Sequence, residues 1–229
     1  MPEDPTCACN WLPLVSASNI PNATGDVPSP HVRTDSYGGP SENRVRFPLE
    51  VVQAVVNAVG KTKTGFRISP WGTWNGEAAH RLPICYPLIT LSRYALWRPQ
   101  ADVHTPRHCA PRSLPHLAYL HVVEPRVDGV TTVESVKDGY SNDFIREFWG
   151  SRPLISAGGY TRETALPAAE EKGDLVAFAR PYIANPDLPY HLSHGIALAV
   201  GNRALYYAPG SSDPAGYTDY PFASVVEAH

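Results

Sequence analysis

Four short apolar segments, separated by stretches of helical character, constrain the fold of this chain more than any other feature. The segments predict strands at 64–70, 117–123, 153–157 and 174–179. Strands that alternate with helices are joined by right-handed crossovers, which makes neighbouring strands parallel. The segment LAYLHVVEP, which begins at Leu117, is apolar almost throughout, as in a strand covered on both faces. The sequence therefore predicts an α/β fold built on a parallel sheet.

Helix signals fill the intervals between these strands. One helix is predicted to start after Ser41 as N-cap, with Glu42 in its first turn, and to stop at Gly60. A second helix is predicted to open at 141–143 and to stop at Gly150. The apolar side chains at helical spacing in these two segments are Phe47, Val51, Val55, Val59, Phe144, Ile145, Phe148 and Trp149.

A third helical run extends from Thr161 to Lys172 and is followed by Gly173. Pro167 lies inside this run, where a proline removes a backbone donor and costs up to ~3 kcal/mol unless the helix starts there. The three helices complete a pattern of strand and helix units.

Prolines set two other parts of the chain apart. The sequence has 24 prolines in 229 residues, about twice the usual share. Residues 1–30 and 77–115 are proline-rich and have neither a helical nor a strand period, so they are predicted to be an irregular N-terminal segment and an irregular insert. A retained intron or a shifted reading frame is one hypothesis for both. Residues 223–229 are predicted to be a tail.

Composition excludes several classes of partner. The net charge is −3 and no block of like charge occurs, which argues against nucleic acid and anionic membranes as partners. No apolar run approaches the ~20 residues of a membrane span, and the N-terminus lacks a leader pattern, so a cytoplasmic protein is predicted. The cysteines lack zinc-site spacing and are predicted to be reduced thiols, with no metal site. They are Cys7, Cys9, Cys85 and Cys109.

Two unusual groups follow the last two predicted strands. Gly158-Gly159 ends one strand and Arg180 ends the next. In parallel α/β folds, ligands bind at the carboxyl ends of strands, where bare amides and a guanidinium suit a phosphate. The alternative is a tight turn with a surface arginine, since a lone Gly-Gly is a weak signal. Residue chemistry alone leaves both readings open.

Seven segments resemble the C-terminal half of the old yellow enzymes. They are RTDSYGGPSENRVRFPLEVVQAVV, GFRISPW, LAYLHVVEPRV, SNDFIREFW, PLISAGGYT, RPYIANPDLP and GYTDYPF, and they cover roughly 31–76 and 117–222 in the family's order. The residues of these segments are most similar to those of fungal members. The resemblance implies a domain at 31–222 forming an incomplete (β/α)8 TIM barrel, with its fifth to eighth strands. It also implies FMN as cofactor, NAD(P)H as reductant, and activated alkenes of the enone type as substrates.

The resemblance also implies cofactor-binding residues. Arg67, near the end of GFRISPW, would lie near the flavin pyrimidine and stabilise negative charge on the reduced ring. Gly158 and Gly159 would present backbone amides to the FMN phosphate. Arg180 would bind that phosphate through its guanidinium, and Ala179 would offer its amide where the family usually has glycine.

For the substrate, the resemblance implies one binding residue and no catalytic residue. Tyr207 would lie over the substrate pocket, although Tyr206 beside it could exchange roles after a one-residue slip. The family's His-Gly-Ala-Asn-Gly-Tyr-like segment, which binds the substrate carbonyl, does not occur in this chain. NATGDVPSP precedes His31 instead, so His31 is not the catalytic histidine. Low or no activity is therefore expected. The alternative is a non-catalytic half barrel that binds FMN or a partner, with a homodimer as one way to complete the barrel.

Overall fold

A computed structural model of the chain describes residues 14–16, 34–37, 43, 46–71, 117–128, 131–133, 136, 140–206 and 212–223. The chain divides into two compact units, Met1–Gly158 and Gly159–His229. The predicted insert at 77–115 and most of the predicted terminal segments lie outside the described residues. Within the described ranges, no helix is both long and apolar enough to span a bilayer.

Four parallel strands form the sheet of the first unit. In chain order, all the strands described in this unit are β1 Leu14–Ser16, β2 Gly65–Ile68, β3 Tyr119–Val123, β4 Val127–Asp128, β5 Thr131–Thr132 and β6 Leu154–Ala157. The parallel sheet has the order β1, β2, β3, β6, while β4 and β5 form a separate antiparallel pair. Gly65 pairs with Leu14 and with Tyr119, and Leu120 pairs with Leu154. Three of the predicted strands are thereby confirmed.

Two features of the first unit were not predicted. Strand β1 lies within 1–30, so the prediction of a wholly irregular N-terminal segment is wrong at Leu14–Ser16. The β4–β5 pair was also missed, because each strand has only two residues and carries no measurable period. Short strands gain their stability from the pairing partner rather than from their own sequence.

Helices cover one face of this sheet. They are α1 Arg46–Val59 and α2 Asp143–Trp149, with a 3₁₀ turn at Lys61–Lys63. The core between sheet and helices consists of Val52, Phe66, Ile68, Leu117, Leu120, Val122, Ile145, Trp149 and Leu154. Residues on alternate positions of β2 and β3 therefore enter this core, while the residues between them face the other side. On that other side, which the sequence predicted to be covered as well, Tyr119 and His121 are half-buried.

The buried stripe of α1 differs from the predicted one. Pro48 and Val52 are buried, whereas Val59 is 42% exposed. The valines at 51, 52, 55, 56 and 59 all lie on one side of this helix. The position of the sheet, rather than the four-residue spacing, decides which of them enter the core. Gly60 ends the helix as predicted, with φ +93°. Ser41 and Glu42 lie outside the described residues.

A mostly buried ion pair lies on the helix side of the sheet. Nη2 of Arg146 in α2 lies 3.1 Å from Oε1 of Glu124, and both side chains are 15% exposed. The hydroxyl of Ser156 donates to the same carboxylate oxygen at 2.8 Å. Nη1 of Arg146 also contacts Oδ1 of the more exposed Asp143 at 3.0 Å. The network ties α2 to the ends of β3 and β6.

Gly65 and Tyr119 make a close cross-strand contact on the sheet face opposite the helices. A Cβ added to Gly65 would lie 2.3 Å from Cζ of the Tyr119 ring. The ring therefore occupies the space that a side chain at position 65 would need. An aromatic ring laid over a strand glycine covers backbone that would otherwise face solvent.

The second unit contains the remaining predicted elements. They are α3 Arg162–Lys172, β7 Leu175–Ala177, α4 Arg180–Ala184 and α5 Leu188–His194, with a 3₁₀ turn at Arg203–Leu205. Thr161 and Thr164 form a capping box at the start of α3, and Gly173 ends it in the left-handed conformation. Pro167 lies inside α3, so the helix does not start there. The predicted helical run and the predicted fourth strand are both confirmed.

Candidate flavin site

Arg67 and His121 are neighbours on the sheet face opposite the helices. They pair directly across β2 and β3, and both project away from the core residues that flank them. We name this side the arginine face, defined by Gly65, Arg67, Tyr119 and His121. Among the described residues, neither Nε of Arg67 nor Nε2 of His121 has a hydrogen-bond partner, although both atoms are buried. A buried donor without a partner is costly, so this face suits a ligand that offers acceptors.

His121 is neutral at physiological pH. Burial, and to a lesser degree the positive charge of Arg67, together lower the pKa of its imidazole from 6.5 to about 4. Arg67 therefore supplies the positive charge of this pair. Sequence analysis missed His121, because one histidine in an apolar strand gives no signal until its cross-strand partner is known.

The pH dependence of folding should show this shift. Because the folded-state pKa of about 4 lies below the ordinary 6.5, the unfolded chain takes up a proton that the folded chain resists. We expect the stabilisation to be complete above pH 6.5 and to be lost as pH falls towards 4. Urea unfolding at about pH 7 and about pH 5 should show a larger loss in wild type than in His121→Gln. An equal loss in both proteins would contradict the shift.

The glycine turn after β6 is shaped by the loop after β3. Gly158 has φ +126° and Gly159 has φ +63°. A Cβ at position 158 would lie 2.8 Å from Cγ2 of Val127, and a side chain at this φ would be strained, so the position favours glycine. Nε of Arg126 donates to the carbonyl oxygen of Gly158 at 2.6 Å. From the sequence, a glycine here was expected to let a phosphate approach the backbone closely. In the structure, Val127 approaches this backbone closely.

Arg67 and Gly158 lie at the same edge of the sheet. Both β2 and β6 are parallel to β3, which lies between them, so their carboxyl ends coincide. Adjacent strands are ~4.8 Å apart, which places the ends of β2 and β6 about 10 Å apart. Arg67 is level with Ile155, three residues before Gly158, so the two groups are further apart than a single small ion can span.

The second unit brings together its own predicted residues. Tyr160 follows Gly159 and belongs to a small apolar cluster. Phe178 precedes Ala179 and packs against the same cluster. Ala179 is exposed and caps α4, its carbonyl accepting from the amide of Tyr182 at 2.9 Å. Arg180 is half-buried at the first position of α4.

Tyr207 lies outside the described residues, but Tyr206 does not. Tyr206 is 6% exposed, its ring lies 5.6 Å from that of Tyr217, and its hydroxyl lies where a Cβ of Gly201 would project. The side chain of Tyr206 is thus used in packing. In the described ranges, no group of three or more histidine, cysteine or acidic residues could hold a metal ion.

The fold and the glycine turn define an α/β protein of the class that binds ligands outside the carboxyl ends of parallel strands. A sequence profile of the NADH:flavin oxidoreductase / NADH oxidase family matches residues 28–85 and 101–199. The chain belongs to this family, whose members use FMN and a nicotinamide reductant. The match includes 77–85 and 101–115, which were predicted to be parts of an irregular insert, and leaves 86–100 unmatched.

Two curated relatives cover most of the chain. A chanoclavine-I aldehyde reductase of Penicillium roqueforti is 36% identical over 198 residues, which is 85% of this chain and 47% of that protein. A protein of Claviceps purpurea named as a probable inactive dehydrogenase is 35% identical over 199 residues, 83% of this chain and 47% of that protein. The chain thus spans about half the length of these relatives.

Solved structures confirm the resemblance and the partial barrel. Morphinone reductase in complex with tetrahydroNAD has a TM-score of 0.66 and 31% identity, covering 94% of this chain and 51% of that one. An old yellow enzyme homologue from Zymomonas mobilis has a TM-score of 0.64 and 29% identity, covering 83% and 47%. The resemblance to old yellow enzymes and the incomplete (β/α)8 fold are therefore both confirmed.

Proposed function

We propose that this chain binds FMN and belongs to an NAD(P)H-dependent oxidoreductase that reduces activated alkenes such as α,β-unsaturated carbonyls. The observation that carries the proposal is the buried Nε of Arg67, which has no hydrogen-bond partner in the described part of the chain and lies at the same sheet edge as the glycine turn. The flavin pyrimidine offers acceptors to such a donor, and its phosphate suits bare amides.

Each predicted residue has a role that fits its position. Arg67 would bind the pyrimidine and stabilise negative charge on it, with no second charge beside it because His121 is neutral. Gly158, Gly159 and Ala179 would offer backbone amides to the phosphate, and Arg180 would bind the phosphate oxygens.

Tyr207 remains the proposed aromatic residue of the substrate pocket. Support comes from Tyr206, because its buried side chain already packs against Tyr217 and Gly201. When bound, FMN supplies hydride transfer from NAD(P)H to the substrate, and the protein binds and orients the reactants.

Turnover is expected to be low despite flavin binding. Donors aimed at a developing oxyanion are worth ~10²–10³ in rate each, and the His-Gly-Ala-Asn-Gly-Tyr-like segment that supplies them in the family does not occur in this sequence. The Claviceps relative named as inactive is compatible with binding without turnover. A homodimer and a cytoplasmic location remain predictions. Measurement of the molecular mass in solution tests the homodimer.

Flavin binding tests the proposal directly. We expect Arg180→Ala to lower the affinity for FMN by about 10–100-fold and to leave riboflavin, which lacks the phosphate, unaffected. Arg67→Met should weaken both ligands by a similar factor, because the ring system is common to them. Titration followed by flavin fluorescence measures all four affinities.

The exposed Arg203 provides a control, since Arg203→Ala removes the same charge outside the proposed site. Absence of FMN binding by wild type, or equal affinities in wild type and both variants, would overturn the proposal. Consumption of cyclohexenone with NADPH at the rate of a full-length relative would overturn the expectation of low turnover alone.

A further inference from the structure

Arg126 contacts the glycine turn from the loop that follows β3. Its Nε lies 2.6 Å from the carbonyl oxygen of Gly158, a residue 32 positions away. The next residue, Val127, fills the space where Gly158 would carry a Cβ. Two consecutive residues, the last one before β4 and the first one of β4, thus contact Gly158 from outside its own strand.

The carbonyl oxygen that Arg126 binds belongs to the peptide group joining Gly158 to Gly159. No peptide bond among the described residues is cis. In a planar trans peptide the N–H points opposite to the C=O, so fixing the oxygen of Gly158 also fixes the direction of the Gly159 N–H. A guanidinium on the oxygen also polarises the peptide group and strengthens its N–H as a donor.

We propose that Arg126 is a positioning residue for phosphate binding, which holds the 158–159 peptide so that the Gly159 amide points at the phosphate of FMN. The inference rests on the proposed function, since FMN is the phosphate ligand there. Arg126 itself binds the turn on the side away from the amide, so its effect on the phosphate is transmitted through one peptide group.

The test compares FMN with riboflavin. Arg126→Met keeps the length of the side chain but removes the donor and the charge. We expect it to lower the affinity for FMN by about tenfold and to leave riboflavin affinity unchanged, because the loss concerns the phosphate alone. Arg126→Lys, which keeps the charge and a donor of different geometry, should recover part of the loss.

Arg162→Met is the matched control. Nε of Arg162 donates to the carbonyl oxygen of Leu192 at 2.7 Å, a bond of the same kind that does not involve the peptide groups of the glycine turn. This variant should retain the wild-type ratio of FMN to riboflavin affinity.

The outcomes separate the two proposals. If wild type binds FMN and Arg126→Met keeps the wild-type ratio of FMN to riboflavin affinity, the role of Arg126 alone is overturned. An equal loss of affinity for both ligands also overturns it, because that result would indicate a merely structural role. Failure of wild type to bind FMN overturns the proposed function and this inference with it. Without any ligand, the amide proton of Gly159 should exchange faster in Arg126→Met than in wild type, and an unchanged rate also counts against the inference.

Discussion

Gly158→Ala should destabilise the protein by about 2–4 kcal/mol and abolish most of its affinity for FMN. A non-glycine residue at φ +126° carries ~1–3 kcal/mol of backbone strain, and the new methyl group would overlap Cγ2 of Val127. Relief of either requires the turn to move away from Arg126, which displaces the amides proposed to bind phosphate. Denaturant unfolding and FMN titration measure the two effects.

Gly150→Ala separates strain from overlap. Gly150 also has a positive φ, +68°, but nothing lies within 4 Å of an added Cβ. We expect a cost of ~1 kcal/mol and unchanged flavin affinity. If both alanine variants lose the same stability, Val127 does not restrict position 158 and the packing argument is wrong.

Arg146→Ala should destabilise the protein by about 3 kcal/mol, although Arg146 lies outside the apolar core. It removes the partner of Glu124 and leaves a mostly buried carboxylate with only Ser156. Breaking a buried pair from one side is costly, because the remaining charge stays desolvated. The free energy of unfolding from urea denaturation measures the loss.

Two further variants test the cause. Asp143→Ala removes a second carboxylate that contacts Arg146. The side chain of Asp143 is 62% exposed, so its loss should cost under ~1 kcal/mol. Removing both charges, as in Arg146→Met with Glu124→Leu, should recover much of the loss. A double variant that is less stable than Arg146→Ala would show that the charges themselves are needed.

Local signals in the sequence were sufficient for the strands and helix ends. Apolar runs located β2, β3, β6 and β7, and glycine stops located the ends of α1, α2 and α3. These features depend on residues close together in the chain. The family resemblance then added the roles of Arg67 and the glycine turn, which residue chemistry left open.

Features that depend on distant contacts were not predictable. His121 became a site residue only through its pairing with Arg67, and Arg126 only through its bond to Gly158. The buried stripe of α1 was assigned to the wrong valines, because the sheet decides which side of a helix is covered. Strand β1 consists of three residues whose ordering depends on pairing with β2.

The contact between Gly65 and Tyr119 has a consequence for how such a sheet can evolve. Because the ring occupies the Cβ position of residue 65, a side chain there requires the Tyr119 ring to turn away or to be replaced by a smaller residue. The reverse change, loss of the ring, would leave the glycine backbone uncovered. The two positions are therefore expected to covary, because a change at either one alone is expected to lower stability.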